Sequence, residues 1–388
     1  MKIRGRVLVL AVSMPVIAFA VIGGFMSKAI AREDSYQYLR IFEDVVSLIM
    51  NNYVEEVNVD KVMHGAMHGL ADGLDPDSAY LDINQVKVLD KGDVGGTAQA
   101  GLEVTRQYYL RVIASRDGSP AAKAGLQPGD YIRAIDGQST RDTTVYEGQH
   151  LLRGKPGTKV HLTVLRGNAA EPHEIDLVRE ELSAAPVKSR MAAPGVGYLR
   201  VAEFGKATAE QIKSEIASVS KAGAKSVIID LRGTAFGDAD SGLGAARLFV
   251  KSGVLGYRQD RGKEKEAISA VAGDGAITVN TVLLTDNGTS NGAEVFAAAL
   301  SGNKRAQLIG ERTLGRAARQ KLVRLPDGSG LMLTHLIYLT PAAVAIHEKG
   351  LVPDVAVEQP EIDFGQPPAA KDATLDKAIE SLTVKAAA

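Results

Sequence analysis

The stretch from Asp286 to Leu300, DNGTSNGAEVFAAAL, follows an apolar, strand-like run and continues into a good helix-forming sequence. A turn from strand into helix is where many hydrolases carry their nucleophile. Thr289, Ser290 and Asn291 stand in a row at this turn. A hydroxyl here could attack a carbonyl if a nearby base removed its proton. The turn is therefore the first candidate for a chemical site.

Metal and cofactor chemistry finds little support elsewhere in the sequence. His64 and His68 lie four residues apart on a predicted helix, but no third ligand follows at a recognisable spacing, so a solvated helix face is favoured. The absence of cysteine excludes disulfides, thiol catalysis and thiolate metal sites. The sequence also lacks the P-loop, H-E-x-x-H and G-x-S-x-G motifs. We therefore expect no metal and no cofactor.

Length and charge set the broad class of the protein. The chain has 388 residues, enough for two or three domains, with 45 basic and 46 acidic side chains. Basic residues form a block only at the extreme N-terminus, so nucleic acid is not an expected partner.

The N-terminus predicts export. MKIRGR precedes an uncharged apolar run of 20 residues from Val7 to Met26, and small residues follow at Ala29 to Ala31. This layout fits a cleaved signal peptide, and the run is also long enough for an uncleaved membrane anchor. In either case we expect the rest of the chain in the periplasm or cell envelope, with residues 7–26 as the candidate inner-membrane anchor.

The elements that must position a site change character along the chain. After the signal or anchor (1–31), residues 32–92 show mixed three- and four-residue apolar spacing, which predicts an N-terminal helical segment. Residues 93–182 contain short β-like runs punctuated by Gly, Pro and Asp, which predicts a small β domain with one helix. Residues 183–358 alternate strands and helices, as in an α/β core, and 359–388 form a Pro-rich linker and a C-terminal helix.

Phrases spread along the chain are informative as a set. GLDPDSAYL is followed by SPAAKAGLQPGDYIRAIDGQST and LLRGKPGTKVHLTVLR, and then by GYLRVAEF, VIIDLRG, LIGERTLG, LPDGSGLMLT and KGLVPDVAVE. In this order they resemble the leader, the PDZ domain and the catalytic domain of the S41 family of carboxyl-terminal processing (tail-specific) serine peptidases. The resemblance covers roughly residues 36–358. It implies a PDZ-like β domain and an α/β peptidase core of the ClpP/crotonase-like type.

The resemblance also implies where the family's serine-lysine dyad should lie. The nucleophile motif, approximately G-S-A-S-A-S-E, is similar to the segment from Gly288 to Glu294, and Asn291 takes the position of the serine. The family's T-F-G-K-G motif is similar to TLGRAARQ, which places Arg316 at the position of the lysine, 25 residues later. Gln320 matches the family's supporting glutamine.

Three chemical parts of the family are therefore changed at once. The nitrogen of the Asn291 amide has its lone pair tied up in resonance, so this residue is no nucleophile. Arg316 keeps its proton at physiological pH, so it cannot act as a base. The family's oxyanion loop reads N-P-G-G, whereas this chain has Thr-Ala-Phe-Gly, with Phe236 and Gly237 at the oxyanion-loop positions. The resemblance thus implies a peptidase fold without an intact dyad.

An active serine endopeptidase remains an alternative. Ser290 is one residue from the nucleophile position and could replace it, with Lys304 or Lys321 as a displaced base. A shift of one residue at the start of a helix swings the side chain by about 100°. Such an enzyme would also need an oxyanion hole in a new place.

The two substituted dyad residues also have structural interpretations. Asn291 can serve as the N-cap of the following helix, with Glu294 as the N3 residue of a capping box. Arg316 can form an ion pair with Glu311 or Glu294. A sharper hypothesis is that Arg316 and the helix N-terminus together bind an anion, such as a peptide carboxylate.

The PDZ-like segment keeps more of its family's pattern. PDZ domains bind a peptide C-terminus as an added strand, with the carboxylate held by backbone amides of a loop. Ala100, Gly101 and Leu102 stand at that loop, where the family has a G-I-G-like phrase. The helix from Val145 to Leu152 would form the other wall of the groove. A PDZ fold used only as a spacer is the alternative.

The sequence as a whole predicts an exported, membrane-tethered or periplasmic pseudo-peptidase. Its predicted partners are peptide or protein C-termini, an active relative or another envelope protein. The alternatives are the Ser290 endopeptidase and a structural component of an envelope assembly that binds no peptide.

Overall fold

The computed structural model describes residues 36–167, 171–360, 362–366 and 371–387. The chain divides into two compact units, Met1–Met67 and His68–Ala388, which are described separately. In the first unit, residues 36–52 are helical. The apolar run from Val7 to Met26 lies outside the described residues. Across those residues that are described, no helix combines the length and apolar character needed to cross a membrane.

Helices and strands alternate with short turns through most of the described chain. The helices are α1 (36–52), α2 (Val59–Asp72), α3 (Ile83–Asp90), α4 (Pro120–Lys123), α5 (Val145–Leu151), α6 (Thr208–Lys221), α7 (Ala239–Ala246), α8 (Gly292–Gly302) and α9 (Ala373–Ala387). The strands are β1 (Ala79–Leu81), β2 (Ala98–Gln99), β3 (Leu102–Gln107), β4 (Tyr109–Ser115), β5 (Tyr131–Ile135), β6 (Gln138–Ser139), β7 (Arg153–Gly154), β8 (Lys159–Leu165), β9 (His173–Val178), β10 (Lys188–Ala193), β11 (Val196–Arg200), β12 (Glu203–Phe204), β13 (Ser226–Asp230), β14 (Phe236–Gly237), β15 (Val254–Asp260), β16 (Glu266–Ser269), β17 (Asn280–Thr285), β18 (Ala306–Gly310), β19 (Ala318–Arg324), β20 (Gly330–Leu339) and β21 (Val355–Ala356). The mixed α/β class predicted from the sequence is confirmed.

The segment predicted to be helical, residues 32–92, contains one strand. β1 pairs antiparallel with β20, with Ala79 opposite Met332. All three residues of β1 are buried. Pairing with a strand that lies far along the chain therefore overrides the local helical pattern here.

The PDZ-like region is an antiparallel sheet in the order β3-β4-β5-β8-β9, with β6 paired to β5. In β8, buried residues alternate with more exposed ones, as expected when one face of a sheet covers a core. α5 packs beside β3 and begins at Thr144, whose hydroxyl accepts the N–H of Glu147 in a capping box. Among the described strands, β3 lies at the edge of its sheet.

The core is built on a sheet in the order β10-β11-β13-β17-β18-β21. Neighbours from β11 to β21 are parallel, and β10 is antiparallel to β11. Every residue of β13, SVIID, is buried, because helices cover both faces of the sheet. α6, α7 and α8 contribute to the cluster on one face, and Ala378 and Leu382 of α9 contribute to the cluster on the other. The candidate nucleophile turn leaves the carboxyl end of β17 and enters α8.

Candidate functional site

The turn between β17 and α8 has the strained backbone of a nucleophile turn. Asn291 lies at φ 53° and ψ −117°, a conformation that is costly for a residue with a Cβ and concentrates at functional sites. The carboxylate of Asp286 holds the turn by accepting the N–H of Gly288 at 3.0 Å and the hydroxyl of Thr289 at 3.0 Å. It also accepts the N–H of Gly233 at 2.8 Å. The backbone support for a nucleophile is therefore present, although the residue it supports is an asparagine.

The side chain of Asn291 is bonded to the oxyanion-loop position. Its Nδ2 donates to the carbonyl oxygen of Gly237 at 2.8 Å. Gly237 has φ +101°, and a Cβ built on it would lie 1.9 Å from the carbonyl oxygen of Phe204. Only glycine fits this close parallel pairing of β12 and β14. Asn291 and Gly237, both singled out from the sequence, are thus in direct contact.

Ser290, the alternative nucleophile, is buried at 1 % exposure. Its N–H donates to the carbonyl oxygen of Thr234 at 3.0 Å, and in the described part of the chain its hydroxyl has no hydrogen-bond partner. Lys304 lies beyond the far end of α8, an 11-residue helix that spans about 16 Å. Lys321 is exposed on β19. The structure does not bring either candidate lysine into hydrogen-bond contact with Ser290.

Glu294, in the first turn of α8, ties the two dyad positions together. Its carboxylate is fully buried and accepts the N–H of Asn291 at 3.2 Å, of Gly315 at 2.6 Å and of Arg316 at 2.8 Å, as well as the hydroxyl of Thr313 at 2.5 Å. Burial raises the pKa of Glu294 from its ordinary 4.5 to about 7, although these four hydrogen bonds favour the charged form. The N3 position predicted for Glu294 is therefore also the anchor of the loop that carries Arg316.

Arg316 is held by two carboxylates from outside its own segment. Its Nε donates to the carboxylate of Asp77 at 2.9 Å, and its Nη1 donates to Glu103 at 2.6 Å. Desolvation alone would lower the pKa of Arg316, but the two negative charges outweigh it and raise this pKa above the ordinary arginine value. The guanidinium therefore pairs with neither Glu311 nor Glu294, the two ion-pair partners that the sequence suggested. From Arg316, Glu294 accepts only the backbone N–H.

The PDZ-like region packs against the oxyanion-loop position. The ring of Phe236 joins a cluster with Ile113 and Ala114, and the guanidinium of Arg116 lies 5.3 Å from the centre of that ring. Arg116 also forms an ion pair with Glu203 of β12. The ring of Phe236 therefore packs between the PDZ-like region and the core, beside the turn.

Gln320, the predicted supporting glutamine, bonds to the strand beside it. It lies on β19, and its Nε2 donates to the hydroxyl of Thr334 on β20 at 3.2 Å. In the described residues it makes no hydrogen bond to Asn291 or Arg316. Within the same residues, no group of three His, Asp or Glu side chains has the geometry to hold a metal ion.

The peptide-binding positions of the PDZ-like region adjoin one another. The N–H of Ala100 donates to the carbonyl oxygen of Leu152 at 3.2 Å, and Gly101 has φ +81°. Leu102 begins the edge strand β3, and Gln149 of α5 reaches its carbonyl oxygen at 3.5 Å. Val145 is nearly buried at the start of α5. The loop, the strand edge and the helix therefore have the arrangement of a PDZ groove.

Comparison with known proteins identifies the same two kinds of domain. The family described as Peptidase family S41 matches residues 195–357, and the PDZ domain family matches residues 111–166. The carboxyl-terminal-processing protease of Synechocystis is 34% identical, over 80% of this chain and 74% of its own. The carboxy-terminal processing protease CtpA of Bacillus subtilis is 31% identical, over 81% of this chain and 67% of its own.

A solved structure gives the same answer at the level of the fold. The photosystem II D1 C-terminal processing protease is 27% identical, with a TM-score of 0.68 over 82% of this chain and 92% of that chain. Sequence and fold thus agree over both the PDZ-like region and the α/β core. The chain belongs to the S41 family of carboxyl-terminal-processing peptidases.

Proposed function

We propose that this chain is an exported pseudo-peptidase that binds peptide or protein C-termini through its PDZ domain and does not cleave them. The observation that carries the proposal is the state of Arg316. At the position where the family has its lysine base, the chain has a guanidinium that donates to Asp77 and Glu103. A base must accept a proton, and a guanidinium paired with two carboxylates keeps its protons and has no lone pair to offer.

The nucleophile position supports the same conclusion. The amide of Asn291 donates to Gly237, so the residue acts as a tie between the turn and the neighbouring loop. Ser290 is buried, and its hydroxyl has no hydrogen-bond partner in the described residues. Among the described residues, neither Asn291 nor Ser290 therefore forms the nucleophile-base pair that acyl transfer requires.

The binding role rests on the PDZ groove. β3 offers an unpaired strand edge, and α5 lies beside it, which is the arrangement that accepts an added peptide strand. Recognition of this kind uses main-chain hydrogen bonds, so it does not depend on the substituted dyad. Candidate partners are the C-termini of envelope proteins, including an active relative of this chain.

The first test is proteolysis by the purified full-length chain. We expect no cleavage of casein by the wild type. Reversion of both positions, Asn291→Ser with Arg316→Lys, separates a site that is otherwise intact from one that has decayed further. Cleavage by the wild type would contradict the proposal.

The second test is binding of a peptide with a free C-terminal carboxylate, compared with its C-terminal amide, by fluorescence anisotropy. Gly101→Ala should weaken binding at least tenfold, because its new Cβ would lie 2.2 Å from the Cβ of Ser119. Gly118→Ala is the matched control, since Gly118 also has a positive φ, +76°, but has open space around it. Equal binding of the acid and the amide would reject C-terminus recognition while leaving the lack of proteolysis intact.

A further inference from the structure

A large cleft separates the PDZ-like region from the core at a place that neither the dyad positions nor the PDZ groove occupies. Its volume is ≈ 770 Å³, within the range of small-molecule sites. One wall is the carboxyl edge of the core sheet, where β11, β13 and β17 end beside Arg200, Asp230 and Asp286. The opposite wall includes Arg111 and Tyr131 from β4 and β5. In open α/β sheets, ligands bind at this carboxyl edge.

The cleft is strongly charged, and most of its charges are paired within the protein. Its lining includes four arginines and four carboxylates, namely Arg111, Arg166, Arg200, Arg232, Asp130, Asp230, Asp286 and Glu311. Arg166 pairs with Asp130 at 2.7 Å, and Arg232 pairs with Asp230 at 2.6 Å. Arg200 pairs at 2.9 Å with Asp117, which lies outside the cleft lining. Three of the four arginines are therefore neutralised.

The two remaining carboxylates also have hydrogen-bond donors. Asp286 accepts from Gly233, Gly288 and Thr289, as described for the turn. Glu311 accepts the N–H of Gln359 at 3.0 Å. Neither carboxylate forms an ion pair with Arg111 in the described chain.

Arg111 is the one arginine of this lining without a carboxylate partner among the described residues. Its buried Nε has no hydrogen-bond partner. The guanidinium lies beside Gly129, where a Cβ built on the glycine would be 3.5 Å from Nη2. A partly buried cation with an unsatisfied donor is costly, and a guanidinium fork matches a carboxylate or phosphate with two parallel bonds.

We propose that this cleft binds a small polar anion whose carboxylate or phosphate group pairs with Arg111. Side-chain amides of Gln127, Asn287 and Gln359 line the same cleft and can bond the rest of such a ligand. Arg166, Arg200 and Arg232 are each paired with a carboxylate, so Arg111 is the arginine of the lining that remains to pair with an anionic group. None of the residues assigned to the PDZ groove lines this cleft.

The test is isothermal titration calorimetry of the full-length chain with inorganic phosphate and, separately, with citrate, at constant ionic strength set by sodium chloride. We expect saturable binding of at least one anion. Preference for phosphate or for citrate distinguishes the two sources of negative charge. Arg111→Gln should weaken that binding at least tenfold, and Arg111→Lys, which keeps the charge but loses the fork, should be intermediate.

Arg133→Gln is the matched control. Arg133 is exposed on β5 and does not line the cleft, so this variant removes the same charge without touching the site. Its affinity should stay within twofold of the wild type. Absence of binding of both anions to the wild type would overturn the proposal, as would equal loss of affinity in the Arg111→Gln and Arg133→Gln variants.

Discussion

The nucleophile turn of the core and the groove of the PDZ domain have diverged from their family in different ways. At the turn, Asn291 has a strained backbone conformation, and by the resemblance to the family's motifs Asn291 and Arg316 stand where the family has its serine and lysine. At the groove, Ala100 stands where the family pattern has a glycine, its N–H donates to the carbonyl oxygen of Leu152, and the edge of β3 is unpaired among the described strands. The proposed loss of proteolysis thus depends on side chains, whereas the proposed peptide binding depends on the backbone of a strand edge.

Two roles can be distinguished at the position of Arg316, one catalytic and one structural. In the family's catalysis, the residue at this position must lose its proton in order to act as a base, and an arginine keeps its proton. In the structure it joins Asp77 of the leader and Glu103 of the PDZ domain to the core. The proposed loss of a chemical role at this position thus accompanies a structural role for Arg316, and the structural role can be measured.

The largest expected effect is the loss of this assembly role in Arg316→Ala. Two carboxylates would be left without their cation, and breaking a buried pair in this way costs about 3 kcal/mol or more of the free energy of unfolding. Urea denaturation measures the loss. Arg319→Ala is the control, because its partner Asp240 is exposed and that pair is worth at most about 1 kcal/mol. Equal effects of the two variants would mean that Arg316 does not join the domains.

The second expected effect is a dependence of stability on pH that arises from Glu294. Between its ordinary pKa of 4.5 and its folded pKa of about 7, the unfolded chain has lost the proton that the folded chain keeps. The free energy of unfolding therefore falls as the pH rises through this window, by up to about 3 kcal/mol, and shows no further change from this group above it.

Denaturation of the wild type and of Glu294→Gln between pH 5 and 8 checks this dependence. The variant should be less stable throughout, because a glutamine cannot accept all four bonds, but its pH slope should be smaller. Asp286, whose pKa burial also raises, is present in both chains, so the difference isolates Glu294. Glu210→Gln, at an exposed side chain, should keep the wild-type slope. An unchanged slope in Glu294→Gln would place the titrating group elsewhere.

A smaller effect is expected from Ser290→Ala. Since the hydroxyl is buried and unpartnered in the described residues, its removal should leave stability unchanged or raise it by up to about 1 kcal/mol. Thr289→Val is the neighbouring contrast, because the Thr289 hydroxyl donates to Leu231 at 2.8 Å and its loss should destabilise the fold. If the wild type cleaves casein and Ser290→Ala abolishes that activity, Ser290 is a nucleophile. The proposal that the core has lost its catalytic side chains is then wrong.

The smallest effect is expected in the groove, from Ala100→Gly. The variant restores the glycine of the family pattern and leaves the edge of β3 unchanged, so peptide affinity measured by anisotropy should change by no more than about twofold. A tenfold gain would show that the methyl group of Ala100, which is fully buried, restricts the groove. In that case backbone recognition would be as sensitive to substitution as the dyad.

The sequence predicted the fold class, the family and the order of the main elements, because strand and helix periodicities are local. It also placed Asn291 at the strand-helix turn and Gly101 at the groove loop. The pattern around residues 32–92 predicted helices only, since nothing local marks Ala79 to Leu81 as the partner of a strand about 250 residues later.

The contacts of the site residues could not be predicted in the same way. The partners of Arg316 depend on how the leader and the PDZ domain pack on the core, and Asp77 and Glu103 have no special spacing from it. The lack of a carboxylate partner for Arg111 among the described residues likewise depends on packing. The sequence shows only that an arginine lies in a predicted strand. Glu294 was placed correctly as an N3 residue, but its bonds to the 313–316 loop required the tertiary structure.

Asp77 and β1 pair with residues near the end of the core, and this has a consequence for synthesis of the chain. Asp77 must wait for Arg316, 239 residues later, and β1 must wait for β20. At ribosomal rates of about 5–20 residues per second, the leader remains without these partners for roughly ten to fifty seconds. The PDZ-like sheet, whose strands are all encoded within the intervening segment, can form during that time. Until β20 is available, β1 remains unpaired and can mispair with other strands.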